Sequence, residues 1–172
     1  GDFNKPDVDY ADKYFAACGA AGVGHIKLGY WHWKPETHYW DYLDEIRVWM
    51  EGFAKLSEKH GVKTVVHNHS GKSMGLHSCA AMNVVKGFDP KHVGIFADVG
   101  HLGVSGEPIA MALDIVREYL SVMAFKDLIR QRPFGGVKQG APAGGTMRLG
   151  QGFVDWPEVV ATLKALKFDG PV

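Results

Sequence analysis

The stretch HVGIFADVGH, residues 92–101, decides how the chain folds. Its run from Val93 to Ala97 is short and apolar, as in a strand that a parallel sheet buries on both faces. Asp98 ends this run and His101 follows three residues later. A carboxylate at the end of an apolar strand must be satisfied by a metal ion, another cation or several hydrogen-bond donors. The stretch predicts a buried strand that ends in a polar site, unless Asp98 only caps the loop that follows.

Three further strands are predicted around this stretch, at HIKLGYW (25–31), KTVVHNH (63–69) and SVMAFKD (121–127). Helical periodicity predicts one helix before them, at about 9–22, and others between them, at 37–60, 72–86 and after Pro108. A last helix follows Asp155, and FDGPV at 168–172 enters another strand. Strands joined by helices pair in parallel, so the fold class is α/β. Both an open doubly wound sheet and a closed barrel fit this alternation.

Polar and aromatic side chains follow each predicted strand at its carboxyl end. Active and binding sites lie at this end in parallel α/β folds, so these positions are the candidate site. They are Trp31, His32 and Trp33 after the first strand; His67, Asn68 and His69 in the second; Asp98 and His101 in the third; and Lys126, Asp127 and Arg130 in the fourth.

His67 and His69 are two residues apart in a predicted strand, so both imidazoles leave it on the same side. Such a pair can chelate a metal or hold two sugar hydroxyls. The alternative is that one histidine is hydrogen-bonded in the core and the other lies on the surface. Asp98 strengthens the metal interpretation, because a divalent ion accepts mixed oxygen and nitrogen ligands.

The other strand ends also leave two interpretations open. Lys126 and Asp127 form either a surface ion pair or a site where Lys126 holds an anionic or carbonyl oxygen. Trp31 and its aromatic neighbours either cover a carbohydrate pocket or belong to the core. The glycine-rich connection at about 129–153 lacks the spacing of a phosphate-binding loop, so we expect a mobile flap over the pocket.

Composition excludes several classes of partner. The 172 residues carry 19 basic and 19 acidic side chains, a formal net charge of zero. This balance disfavours binding to nucleic acid or to an anionic membrane surface. No apolar run is long enough for a spanning helix, and no signal peptide is evident, so we expect a cytoplasmic protein.

Four segments together resemble the sugar phosphate isomerase/epimerase family of xylose-isomerase-like TIM barrels. They are VVHNHSG (65–71), FADVGHLGVSG (96–106) with its D-x-x-H, MAFKD (123–127) and LGQGFVDWPEVVATLKALKFDGPV (149–172). The resemblance implies a (β/α)8 barrel that is incomplete, with residues 1–172 forming one partial domain from about the third strand to the start of the eighth. Such a piece exposes unpaired strand edges, and family members often associate, so a homo-oligomer is possible.

The resemblance also implies a divalent metal ion at the mouth of the barrel, either manganese, magnesium, cobalt or zinc. Asp98 matches one family ligand, and His67 stands where many relatives have a glutamate. His67 is therefore expected to bind the metal or to act as the catalytic base. Ala124 occupies the position of a histidine ligand, and a final glutamate ligand would fall beyond Val172.

The function implied is a metal-dependent isomerase or epimerase acting on a small sugar or polyol. The residues expected to contact substrate are Trp31, His69, His101, Lys126 and Arg130. Some relatives that dehydrate keto-inositols also have His-x-His at this strand end, so a lyase is an alternative. Because Ala124 cannot bind metal, a noncatalytic, degenerate carbohydrate-binding barrel is another.

Overall fold

A computed structural model of the protein describes residues 4–129 and 145–172. The described strands are β1 (His25–Lys27), β2 (Lys63–His67), β3 (Val93–Asp98), β4 (Leu120–Ala124), β5 (Asp127–Leu128) and β6 (Thr146–Met147). The described helices are α1 (Ala11–Ala20), α2 (Tyr39–His60), α3 (Ser78–Val85), α4 (Val99–Val104), α5 (Ile109–Val116) and α6 (Trp156–Ala165). Helices and strands therefore alternate as the sequence predicts.

The main sheet has four strands in the order β1-β2-β3-β4, and every neighbouring pair is parallel. Its strands follow one another in chain order, whereas a doubly wound sheet reverses its order at a switch point. The predicted partial barrel is confirmed in this form, as a parallel half-barrel. Pairing of His67 with Phe96, and of Asp98 with Ala124, brings the ends of three strands to one rim.

The two edges of the sheet differ. The backbone N–H of Met123 in β4 donates to the carbonyl of Pro171 at 3.0 Å, so the end of the chain lies beside β4, where another strand was predicted. β1 pairs with β2 on one side, and no other described strand pairs with it. Beyond the main sheet, β5 and β6 form a short antiparallel pair.

The helices pack their apolar faces on the sheet and on each other. In α2 this face includes Ile46, Met50 and Phe53, all fully buried. The helix ends at Gly61, which has a φ of 66° in the left-handed region that glycine adopts without strain. At α6 the side chain of Asp155 accepts from the N–H of Glu158, as the capping spacing predicts. None of the described helices is both long and apolar enough to cross a membrane.

Two predicted boundaries differ from the structure. The helix predicted from residue 72 begins only at Ser78, because the preceding turns include a bridge between His32 and Ser73. The stretch predicted as a strand at HVGIFADVGH (92–101) is extended only as far as Asp98, where its apolar run ends, because the Asp98 side chain accepts from the N–H of His101 and starts α4.

Candidate functional site

Asp98 is the centre of a polar cluster at the carboxyl ends of β2, β3 and β4. Its side chain is fully buried, and Oδ2 lies 2.7 Å from Nζ of Lys126. Nε2 of His67 lies 3.4 Å from the same oxygen, and Nε2 of His101 lies 3.9 Å from it. The cluster therefore joins four residues from three predicted strand ends, and His69 lies beside them.

Two features hold Asp98 in place. The buried side chain of Asn68 accepts from the N–H of Asp98 at 2.6 Å and donates to its carbonyl at 3.2 Å. Oδ1 of Asp98 accepts from the N–H of His101 at 3.1 Å. Asp98 thus caps the segment that follows β3, which was one interpretation of this residue. It also pairs with a cation, which was the other interpretation.

The surroundings of Asp98 keep it ionised. Burial acts to raise the pKa of Asp98, but hydrogen bonds from His67 and Lys126 outweigh this and lower the pKa to about 2. The site therefore contains a buried carboxylate at neutral pH, neutralised in part by the ammonium of Lys126.

His67 is fixed by partners on three sides. Its Nδ1 lies 2.6 Å from the hydroxyl of Tyr30, and its ring stacks on Phe96 with centroids 4.7 Å apart. The carboxylate of Asp98 only accepts hydrogen bonds, so we assign the ring hydrogen to Nε2, which faces it. Nδ1 then accepts from the O–H of Tyr30.

His69 and His101 form a neutral pair beside this cluster, with ring centroids 3.9 Å apart. Nδ1 of His69 donates to the carbonyl of Ser70 at 2.9 Å, and Nδ1 of His101 lies 2.9 Å from the hydroxyl of Ser70. Burial lowers the pKa of His69 below its usual value and that of His101 to about 4, although Asp98 opposes both shifts. Lys126 is thus a cation among neutral imidazoles.

Lys126 and Asp127 do not form a surface ion pair. Lys126 reaches Asp98, whereas Asp127 is fully buried and points into the segment before α6. Among the described residues its carboxylate accepts from five donors: the backbone N–H groups of Leu128, Gly150, Gly152 and Val154, and Nε1 of Trp156. Asp127 therefore connects the start of the glycine-rich connection to its last residues and to the start of α6.

The structure places Trp31 differently from the prediction of a pocket wall. Trp31 is only 3% exposed, and its indole N–H donates to the carbonyl of Asn4, so it belongs to the core. Its neighbour Trp33 instead lines a cavity of about 200 Å³ with Tyr39 and the chain from Gly71 to Met74. Arg130 and residues 130–144 of the flap predicted at about 129–153 lie outside the described residues.

The predicted metal ligands lie side by side, but they do not complete a metal site. Across residues 4–129 and 145–172, no three His, Cys, Asp or Glu side chains group so that they could hold a metal ion. The buried polar side-chain atoms in these ranges all have hydrogen-bond partners, and Lys126 is bound to the Asp98 carboxylate. Ala124, opposite Asp98, supplies no donor. The described residues alone therefore do not fit a divalent ion.

Sequence reasoning missed two members of the site. Tyr30 contacts His67, and its ring lies 4.6 Å from that of His69. Ser70 contacts His101 through its hydroxyl. Both residues lie just after a strand, beside positions that were predicted, so the position along the chain was the available signal.

Comparison with known families agrees with this architecture. The sequence model of the xylose isomerase-like TIM barrel family matches residues 2–172. The protein therefore belongs to the xylose isomerase-like TIM barrel family. Comparison with curated proteins gave no match.

Solved structures show the same fold at low sequence identity. A D-tagatose 3-epimerase-like protein is 16% identical, with a TM-score of 0.74, over 99% of this chain and 66% of its own. An IOLI protein with a binding zinc atom is 16% identical, with a TM-score of 0.74, over 94% and 56%. The probable 3-DHS dehydratase AsbF from Bacillus anthracis is 14% identical, with a TM-score of 0.68, over 97% and 64%. The chain spans between half and two thirds of the length of these three proteins.

Proposed function

We propose that the protein is an isomerase or epimerase-type enzyme that moves a proton on a small sugar or polyol. The observation that carries this proposal is the cluster of His67, Asp98 and Lys126 at the carboxyl ends of three parallel strands. It combines a group that can exchange a proton, a carboxylate that orients it and a cation. The fold and the similarity to an epimerase-like structure support the substrate class.

His67 is the proposed acid and base. A base removes the proton from the carbon next to a sugar carbonyl, and the electron pair of the C–H bond forms an enediolate. Delivery of a proton from water to the opposite face of the same carbon gives an epimer. Return of the abstracted proton to the neighbouring carbon, with the hydroxyl proton passing to the former carbonyl oxygen, gives an isomer. Nδ1 of His67 exchanges this proton through the hydroxyl of Tyr30, which lies 2.6 Å away. Asp98 stabilises the charged imidazolium form.

Lys126 is proposed to stabilise the enediolate oxygen. Its side chain is 32% exposed, although its ammonium is bound to the buried Asp98. An ammonium fixed beside the reacting carbonyl stabilises negative charge as it develops. His69 is proposed to hold a sugar hydroxyl through Nε2, because its Nδ1 donates to the carbonyl of Ser70. The predicted contact of His101 with substrate stays a prediction, since both of its ring nitrogens already face Ser70 and Lys126. The predicted contact of Arg130 with substrate stays a prediction.

The metal role of Asp98 and His67 also stays a prediction. Similarity to a zinc-containing structure makes a divalent ion plausible for this fold. A metal would polarise the substrate carbonyl as a Lewis acid. Since the described residues do not complete such a site, the proposed proton transfer uses only the side chains of the protein. Titration with a metal separates the two possibilities.

A dehydratase is the second candidate. Similarity to a probable dehydratase structure supports it, as does the His67 and His69 pair. Elimination of water begins with the same proton removal, and hydroxide then leaves the neighbouring carbon with a proton from an acid. The two candidates therefore share the site and differ in the product.

The test is product analysis by NMR on a panel of ketoses, aldoses and keto-polyols. We expect an epimer or isomer of one substrate to form, and His67→Gln to abolish its formation. His60→Gln is the control, because His60 pairs with Asp12 away from this site, so the variant should act like the unchanged protein. A dehydrated product would select the lyase. Binding of a sugar without any product would contradict both candidates and support a noncatalytic barrel.

A further inference from the structure

We propose that the ammonium of Lys126 is the resident cation of this site and occupies the place at Asp98 that a divalent metal would need. The inference rests on the proposed function for the role of Lys126 in catalysis. The assignment of the cation itself is tested by metal binding, without a substrate.

The contacts of Lys126 are those of a bound cation. Nζ lies 2.7 Å from Oδ2 of Asp98 and 3.3 Å from Nε2 of His101. An ammonium only donates, so Nε2 of His101 accepts, and the ring hydrogen lies on Nδ1 facing Ser70. Lys126 thus uses two acceptors that a metal would have to bind.

The Asp98 carboxylate has little capacity left for another cation. Oδ1 accepts from the N–H of His101, and Oδ2 faces both Lys126 and His67. Among the described residues, no other carboxylate forms an ion pair with Lys126, His67 or His101. A divalent ion added to this arrangement would share one negative charge with an ammonium at close range, which repels it strongly in a buried site.

The neighbouring strand explains why a lysine fills this position. β4 places Ala124 opposite Asp98, and its methyl group neither binds a metal nor fills the space of a larger ligand. Lys126 follows two residues later and reaches the carboxylate. The lack of a metal-binding side chain at residue 124 and the ammonium at residue 126 therefore both favour Lys126, and not a divalent metal, as the cation at Asp98.

Isothermal titration of the full chain with Mn²⁺ tests the proposal. Mn²⁺ is chosen because it prefers carboxylate and other oxygen ligands, whereas thioethers bind softer metals. We expect no binding to the unchanged protein that depends on Asp98, with Asp98→Asn as the reference. In Lys126→Met the ammonium is lost at similar side-chain length, and we expect Mn²⁺ to bind at least ~10-fold more tightly. The double variant Lys126→Met with Asp98→Asn should lose this gain.

Lys126→Arg is the matched control, because it keeps the positive charge and should exclude Mn²⁺ as lysine does. Asp98-dependent binding of Mn²⁺ to the unchanged protein would overturn the proposal, as would equal affinity in the methionine and arginine variants. If Lys126→Met does not fold, the thermal melt of the unchanged protein tests the proposal instead. An unchanged Tm with Mn²⁺ or with EDTA supports the proposal, and a Tm raised by Mn²⁺ in the unchanged protein but not in Asp98→Asn contradicts it.

These readouts separate the proposal from the proposed function. Absence of any sugar product with exclusion of Mn²⁺ would leave the cation assignment standing and reject the enzyme. Product formation together with Asp98-dependent Mn²⁺ binding would support the enzyme and reject the assignment of Lys126 as the resident cation.

Discussion

The hydroxyl of Tyr30 lies 2.6 Å from Nδ1 of His67, a contact that joins the segment after β1 to the end of β2. Tyr30 thus contacts Nδ1 of the imidazole, and Asp98 faces Nε2 on the other side. Tyr30, His67 and Asp98 therefore form one hydrogen-bonded series across three strand ends. This series sets the orientation of His67 that the proposed proton transfer requires.

Tyr30→Phe removes the hydroxyl and leaves Nδ1 of His67 without this donor. We expect the free energy of unfolding to fall by about 1 kcal/mol, and turnover of the substrate to fall by about 10-fold or more. Urea denaturation and NMR product analysis measure the two effects. Tyr39→Phe is the control, because no described residue bonds the Tyr39 hydroxyl. Equal losses in both variants would contradict the role of Tyr30.

Asp98→Asn removes the buried charge opposite Lys126. We expect a loss of about 2 kcal/mol in unfolding free energy, less than for a fully buried pair because Lys126 reaches solvent. Adding Lys126→Met to this variant should cost less than it does in the unchanged protein, since the ammonium has then lost its partner. Chemical denaturation of the four proteins gives the coupling. Strict additivity would mean that the two residues do not interact.

Asp127→Asn replaces a carboxylate that accepts five hydrogen bonds from the described part of the chain with an amide that also donates. We expect a loss of about 3 kcal/mol, because buried N–H groups lose a charged acceptor. Urea denaturation at pH 7 measures it. Asp155→Asn is the control nearby, since Asp155 is exposed and accepts from a single N–H at the start of α6. Its loss should stay below about 1 kcal/mol.

The contribution of Asp127 should also depend on pH. Burial acts to raise the pKa of Asp127, but hydrogen bonds from the Trp156 indole and from backbone N–H groups outweigh it, so the pKa lies below its usual value. A lowered pKa stabilises the folded protein above the unfolded-state value and loses this effect as the pH falls through the folded-state value. The difference between the unchanged protein and Asp127→Asn should shrink below about pH 4. A constant difference from pH 7 to pH 2.5 would contradict this assignment.

Gly100→Ala should disturb the site by packing alone. A Cβ at this position would lie 2.8 Å from the carbonyl oxygen of Lys126 and 3.2 Å from Oδ1 of Asp98. We expect a loss of about 2 kcal/mol in unfolding free energy, because backbone atoms must move. At Gly24 a Cβ would meet nothing within 4 Å, so Gly24→Ala should change stability by less than about 0.5 kcal/mol. Similar values for the two variants would show that the close approach at Gly100 is absent.

The sequence allowed much of the fold to be predicted, since hydrophobic periodicity reflects burial directly. The long helix predicted at 37–60 is α2, from Tyr39 to His60. The predicted strand ends at Asp98 and His67 meet at one rim because parallel strands in register share their direction. The fold class followed from this alternation of strands and helices, whereas the family followed from the resemblance of four segments to known motifs.

Contacts between side chains could not be predicted in the same way. Adjacent side chains of an extended chain point in opposite directions, and the sequence does not say which one enters the site. Trp31 was expected to line a pocket, but it packs in the core while Tyr30 contacts His67. Likewise Lys126 and Asp127 were weighed as a pair, although they bind partners in different segments.

Deuterium exchange tests the central claim most directly. The unchanged protein and His67→Gln are incubated in D2O with each sugar or polyol of the panel, and deuterium next to the carbonyl is followed by NMR. The account predicts that the unchanged protein incorporates deuterium into one substrate and that His67→Gln does not. Absence of exchange with every substrate, or equal exchange by both proteins, would contradict it.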